Sequence, residues 1–490
     1  MQLSFKKAAL WVFACGVILR IALALVNEQA NDVHINMIKI MAYENRIPKN
    51  DEDREAFQPK LYHATVAAFL KILRPQSAQV ETILAQLISC AAGIFTVLLA
   101  YRFFIAEVEF SEKVRFIAFS LLALNPVLIG INAQATNDSF AILFGSLAFY
   151  FAWHFFKNTR TVDFCWMLGS VVLAGLSKGN GFVIFIAILA TFAIAFWRIG
   201  NGQYHSRNVI ARYGLIFFVS YLTLVPTLGP YWKNYHEYGS PFVTNSDPSL
   251  VLARKEIFQP GPTSIVDALF TFRFGDMLRN PERVNRHGPY PLHQSSAWSQ
   301  LYGRVHSVHF DAWPPAWQVT TGEWSYAIWA RVLMFNITRL ILLCALVPTV
   351  LMIIGLLRSL VSAGQSLTTV HVSERRRLTD WLLDFTAVGY LLFLIALFLK
   401  YRDANWFKGI YIFPGFLAFI IFFARECERF YAWCKTKTIL RSSLNTIFGV
   451  LLLLYVVDVT ALLGQLSLGV VYLLLPPDTW NALKSWSRGL

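Results

Sequence analysis

Eleven stretches of this chain are apolar over lengths that a protein folding in water does not use. They lie near residues 8–26, 79–101, 114–131, 139–156, 164–177, 181–198, 212–228, 338–358, 381–399, 409–424 and 443–463. A helix needs about 20 such residues to cross the hydrocarbon of a bilayer. The stretch 164–177 is short for that, and a further apolar run at 464–475 is ambiguous. In lipid a helix satisfies its own backbone groups, and these runs are too long for the strands of a barrel. Residues are 56% hydrophobic and only 15% charged, with 41 Phe and 15 Trp, more apolar surface than a soluble fold of this size can hide. The first run is longer than a signal-peptide core and no small-residue cleavage motif follows it, so it counts as a span. The expectation is an all-α polytopic membrane protein of about eleven spans, give or take two.

Lysine and arginine in short loops set the orientation. Placing Lys6 and Lys7 inside also puts inside the loops with Lys113 and Arg115, Lys157 and Arg160, Arg198 to Arg212, Arg375 to Arg377, and Arg425 to Arg441. The segment 27–78, a long loop 229–325 and the short loop 400–408 then lie outside. Three regions follow: a module 1–228 that includes the outer segment 27–78, the long outer loop 229–325, and the C-terminal helices 326–490. The net charge of +14 is mostly this inside bias plus a basic outer loop, and no compact basic domain exists to hold nucleic acid. The six Cys are scattered, with no disulfide or zinc spacing.

Two outer segments are not ordinary loops. In "QPKLYHATVAAFLKIL", Leu61, Val66, Phe69, Leu70 and Leu73 recur at helical spacing, which predicts an amphipathic helix lying in the membrane interface. The loop 229–325 is rich in aromatics, Arg and His, including Trp298, Trp313, Trp317 and Trp324. It reads either as an interfacial aromatic belt or as a folded cover over a polar cavity. Its His287, His293, His306 and His309 lack a ligand spacing and read as surface histidines.

Ionisable groups gather on the same side. Asp32 follows the first span, Asp138 lies in "ATNDS" between the third and fourth, Lys178 sits in the glycine-flanked turn "GLSKGNGF", and Lys400, Arg402, Asp403 and Lys408 lie between two later spans. Each has a plainer role: a solvated loop residue for Asp32, a helix N-cap for Asp138, a turn or snorkelling lysine for Lys178. Their coincidence on one face of a membrane points to a site. Cations would bind a phosphate by charge-assisted hydrogen bonds, and a carboxylate would take a proton from an attacking hydroxyl. Glycosyl transfer from a lipid-linked sugar phosphate needs that combination; its phosphate leaving group needs no general acid. A transporter or flippase of an anionic lipid would use the same cations without a base. The inverted repeats and broken helices of such carriers are not evident.

These stretches also resemble the GT-C membrane glycosyltransferases, in the branch of the protein O-mannosyltransferases and the lipid A aminoarabinose transferase. The resemblance rests on an outer Asp after the first span (Asp32), "QPKLYHATVAAFLKIL", "LNPVLIGINAQATNDSFAILF", "LAGLSKGNGFVIF" and, more weakly, "KGIYIFPGF". It is carried by residues 15–200 and is thin beyond. It implies a GT-C-like bundle and an inverting transfer from a polyprenyl-phosphate-linked sugar to a lipid, glycan or protein acceptor at the outer or lumenal face. By that resemblance Asp32 is the catalytic base and Asp138 lines its cavity. Lys178 and Arg402 cradle the donor phosphate, with Lys408 able to substitute, and Tyr62 and His63 lie on the acceptor side. The chain departs from the pattern at Asn31, Lys60 and Ile410. No soluble domain follows the last span, so a protein acceptor held by one is not expected, and a bacterial inner membrane is favoured over an endoplasmic reticulum. No cofactor is expected. Asp32, Asp138, His34 and His63 could in principle hold a divalent metal, without a spacing that supports it.

Overall fold

The computed structural model describes residues 5–27, 34–53, 55–200, 207–244, 261–282, 291–311, 328–368, 377–402, 404 and 407–474, and among these there are helices and turns but no strand. Helices α1 (Phe5–Val26), α2 (Ile35–Tyr43), α3 (Leu61–Leu73) and α4 (Ala78–Tyr101) open the chain. They are followed by α5 (Glu112–Ala123), α6 (Pro126–Asn132), α7 (Asp138–Asn158), α8 (Thr161–Ser177), α9 (Gly181–Gly200) and α10 (Arg207–Leu228). The long loop contributes the short helices α11 (Tyr231–Tyr238), α12 (Ile265–Phe270), α13 (Phe274–Arg279), α14 (Ala297–His306) and α15 (Val308–Asp311). Four long helices close the bundle: α16 (Ile328–Thr368), α17 (Leu378–Tyr401), α18 (Phe416–Trp433) and α19 (Thr438–Leu474).

Among the described residues nine helices are long and apolar enough to cross a membrane. The tenth is the pair α5 and α6, bent by 44° at its break, and α8 is a shorter apolar helix of 17 residues. The eleven stretches of the sequence therefore each become a helix or a bent pair. The chain is an integral, multi-pass membrane protein.

The bend has a local cause. Asn125 precedes Pro126 and is pushed out of helical geometry, and its side chain then caps the new helix, accepting from Leu128 N at 2.9 Å. A break inside a bilayer strands backbone groups that water cannot reach. Arg20 of α1, fully buried, answers it: Nη1 donates to Ala123 O at 2.9 Å and to Gly16 O at 2.9 Å, while Nε donates to Asn132 Oδ1 at 2.9 Å. Helices approach closely at this level. A Cβ on Gly16 would stand 2.8 Å from Ala123 O, and one on Gly93 2.2 Å from Asn132 Cγ. α6, wholly buried, thus runs between α1 and α4 and delivers residues 133–138 to one end of the bundle.

In Arg20→Met, Asn132 Oδ1 and Ala123 O lose a donor in a dry interior. The variant is expected to unfold about 3 kcal/mol more easily in detergent, from about 1–3 kcal/mol per orphaned group. Arg20→Lys should recover only part of the loss, because one ammonium cannot span three acceptors arranged for a guanidinium. Unfolding curves unchanged by either substitution would contradict this role.

Candidate active site

The end of the bundle reached by α6 is a polar layer. Asn27, just after α1, donates from Nδ2 to Ala133 O at 2.8 Å, and Gln86 of α4 donates to Asn27 O. Ser89 of α4 donates to Thr136 O at 3.1 Å. The buried loop before α7 is thereby fixed, and Thr136 Oγ1 donates to Asp138 Oδ2 at 3.1 Å. Asn137 donates to Gln58 Oε1 at 2.6 Å and to Ser177 O at 3.2 Å, and Gln58 in turn donates to the buried Glu55.

Asp138 opens α7 but caps nothing with its side chain. Its carboxylate takes both lines of contact from Lys178 Nζ, at 2.7 Å and 2.8 Å. The pair is nearly dry, with side-chain exposures of 14% and 4%. Lys178 terminates α8, and the chain reverses into α9 so tightly that a Cβ on Gly181 would lie 2.4 Å from the Ala174 carbonyl. Gly181, three residues after Lys178, is therefore a packing requirement. Asn180, between two glycines, is buried, and among the described residues neither end of its amide has a hydrogen-bond partner. Tyr411 lies with its ring centroid 5.5 Å from Lys178 Nζ, close enough for a cation–π contact. It belongs to the buried 3-10 turn Gly409–Gly415, which starts at the half-buried Lys408.

α2 and α3 lie against this layer. His34 and His63 are fully buried, with His63 Nε2 3.0 Å from His34 Nδ1. Burial first, then the neighbouring His34 and Lys60, hold His63 well below the usual imidazole range. Lys60 donates to Ala56 O at 2.6 Å, and burial draws its ammonium down to about 7 against the opposing pull of Asp53 and Glu55. Lys178 also acts electrostatically on His63. Lys60, Lys178 and the histidine pair therefore act on one another in one buried region, with Asp138 as the carboxylate in contact with Lys178 and Asp53 and Glu55 acting on Lys60.

Of the residues singled out in the sequence, Asp138, Lys178 and His63 come to this layer, and Lys408 precedes the turn whose Tyr411 reaches Lys178. Asp32 lies outside the described residues, as do Asp403, Trp313, Trp317, Trp324 and His287; the chain on either side of Asp32, at Asn27 and His34, is buried in the layer. Tyr62 is turned into the packing: its hydroxyl donates to Ala85 O at 2.9 Å and its ring meets Phe140 edge-on. Arg402 is exposed in a left-handed turn (φ 48°), its carbonyl accepts from Gly261 N at 2.8 Å, and its guanidinium makes no hydrogen bond or ion pair among the described residues. Of the four loop histidines expected at the surface, the three that are described lie elsewhere. His293 is fully buried, and His306 and His309 are largely enclosed, bonded to Tyr455 and Asp458 of α19. Lys60, Asn137 and Asn180 were not singled out as binding groups, Lys60 entering only as a departure from the family pattern, and His34 was named only as a possible metal ligand. Arg304 was missed too. Fully buried in α14, it donates to the carbonyls of Ala404 and Phe407 and so holds the approach to Lys408. Among the described residues no group of three or more His, Cys, Asp or Glu could hold a metal ion.

An all-helical membrane bundle carrying a buried ammonium–carboxylate pair at one end is the class that fold and site define. Residues 65–229 match the model of the dolichyl-phosphate-mannose-protein mannosyltransferase family. That is 165 of the 490 residues; over them the chain resembles this family, and Asp138 and Lys178 fall inside the match. No curated protein sequence matches the chain. Solved structures that it is similar to include the Archaeoglobus fulgidus oligosaccharyltransferase tethered with an acceptor peptide (14% identity, TM-score 0.46, 94% of this chain and 55% of that one). The oligosaccharyltransferase AglB of the same organism, in complex with an inhibitory peptide and a dolichol-phosphate, is similar at 14% identity and TM-score 0.45 over 95% of this chain and 56% of that one. ArnT from Cupriavidus metallidurans bound to undecaprenyl phosphate follows at 14% identity and TM-score 0.36, over 85% and 77%. The chain thus spans little more than half the length of the two Archaeoglobus chains.

The ion pair makes a stability prediction independent of activity. Lys178→Met leaves Asp138 charged and unpaired in a nearly dry site and should cost about 3–5 kcal/mol. Adding Asp138→Leu should return much of that loss, so a double-mutant cycle by thermal or denaturant unfolding should show strong coupling. Additive losses would mean that the two side chains do not depend on each other.

Proposed function

We propose that the chain is an inverting glycosyltransferase that moves a sugar from a polyprenyl-phosphate-linked donor to a hydroxyl acceptor, at the outer or lumenal face of its membrane. The observation that carries this reading is the buried Lys178–Asp138 pair, set beside Lys60, His34 and His63 and inside the stretch that resembles the mannosyltransferase family. An ammonium held by one carboxylate is ready to exchange that partner for a phosphate, which is also an anion and brings more acceptor oxygens. Asp138, engaged on both oxygens, is better suited to positioning Lys178 than to removing a proton.

In this reading Asp32 is the base. It takes the proton of the acceptor hydroxyl as that oxygen bonds to the anomeric carbon. The bond from that carbon to the phosphate oxygen breaks on the opposite face, and its electron pair leaves with the phosphate. Lys178, with Lys60 and Lys408, meets the developing charge on the phosphate, and the configuration at the anomeric carbon inverts. The bacterial inner membrane is the favoured location, and the acceptor is a lipid, a glycan or a protein. No step calls for a cofactor.

The test is transfer of label from a polyprenyl-phosphate mannose donor by the full chain in its membrane. The wild type should transfer. Asp32→Asn should lose about two to four orders of magnitude in kcat, the usual worth of a general base. Lys178→Ala should raise the donor KM more than it lowers kcat. Undiminished transfer by Asp32→Asn would remove the base from this scheme.

A further inference from the structure

Helix α12 and the two residues after it carry four large apolar side chains that stand exposed on the described structure, Phe272 with one side on Phe274 and Tyr302. Ile265 is 59% exposed, Val266 66%, Phe270 78% and Phe272 46%. The opposite side of the helix is used: Ala268 is fully buried, Asp267 Oδ1 accepts from Arg273 Nη2 at 2.6 Å, and Trp298 Nε1 donates to Leu269 O at 2.7 Å. On a loop surrounded by water, a patch of this size and composition is costly and calls for a partner.

The depth of the loop says which partner. α13 begins four residues after α12, and its end is fastened to a span: Arg339 of α16 donates from Nε to Leu278 O at 2.6 Å and from Nη2 to Arg279 O at 3.2 Å. Arg339 is six residues inside the apolar span Leu333–Leu367, about 9 Å along the helix. α14 goes further. Tyr302 donates to Leu342 O, and His306 bonds Thr349 Oγ1 at 2.9 Å and Tyr455 Oη at 2.5 Å. Thr349 is one residue from the middle of the span Leu333–Leu367, and Tyr455 is within three residues of the middle of the span Thr438–Ser467. Just beyond, the turn at Ser307–His309 is held by the fully buried Asp458, which accepts from Val308 N at 2.8 Å and from His309 Nδ1 at 2.5 Å. Backbone outside a span persists at such depth only where protein encloses it, and here α6, α16 and α19 do.

We infer that the part of the long loop described by 261–282 and 291–311 is a re-entrant element of the membrane, and that Ile265, Val266, Phe270 and Phe272 rest in the acyl chains of the leaflet at the site end. The polar face of the element, with His306 and His309, turns to α16 and α19, and its apolar face turns to lipid, as do the exposed Leu333, Leu340 and Leu343 of α16.

Spin labels test this on the full chain in phosphatidylcholine–phosphatidylglycerol nanodiscs, after replacing the six native cysteines. Labels at Phe270→Cys and Val266→Cys should collide with oxygen several-fold more often than with a water-soluble nickel chelate. A label at the exposed Glu237→Cys should show the reverse. Nickel collisions at 266 and 270 equal to those at 237 would place the helix in water and overturn the inference. Shielding of both labels from both reagents would show a protein partner or a second copy over the patch, and would overturn it equally. All three positions are exposed, so folding does not limit the test, and the readout does not depend on any transfer activity.

Discussion

A helix broken inside a bilayer must find partners for its own backbone, and the fold depends on how this chain does so between α5 and α6. Water cannot reach the carbonyls at the break, so the protein supplies a guanidinium. Arg20 ties the end of α5 to the end of α6 and to its own helix at once. Because α6 is held there, the residues after it are buried as a loop, and α7 begins with a carboxylate inside the protein instead of in solvent. The glycines at 16 and 93 serve the same end, since any side chain there would drive α1 or α4 off the break.

Once a carboxylate is buried, electrostatics dictates what must stand next to it. An unpaired charge would cost several kcal/mol or force protonation, and Lys178 arrives from the turn between α8 and α9 to prevent that. Lys60 and His63 lie in the same layer: burial, the first cause in each, draws the Lys60 ammonium down to about 7 against the pull of Asp53 and Glu55 and holds His63 below its usual range. An incoming phosphate would offset that desolvation of a buried cation. The long loop contributes at a distance: Arg304 fixes the chain before Lys408, and Tyr411 closes over Lys178.

The spans were legible in the sequence because length and hydropathy act locally, residue by residue. The side of the membrane shared by Asp138 and Lys178 followed from counting spans, and the fold joins the two directly. The amphipathic helix at 61–73 announced itself by its spacing. What stayed hidden depends on contacts between distant segments. Nothing near Arg20 in the sequence says that it faces a broken helix more than a hundred residues on. Lys60 and His34 look like loop residues until α3 packs on α4 and α8. The histidines of the long loop looked solvated because loops usually are; here the loop enters the membrane, and imidazoles replace water as partners for Thr349, Tyr455 and Asp458. Tyr62 was placed on the acceptor side by resemblance, while in the fold its hydroxyl bonds Ala85 O and its ring packs on Phe140.

The central claim is that the cations of this layer and the acid after the first span face one lipid-phosphate pocket. An experimental structure of the full chain with undecaprenyl phosphate bound tests it most directly. The account predicts the phosphate against Lys178 Nζ, with Asp32 opening on the same cavity. A phosphate seated elsewhere on the bundle, or Asp32 facing bulk solvent far from Lys178 and Asp138, would contradict it.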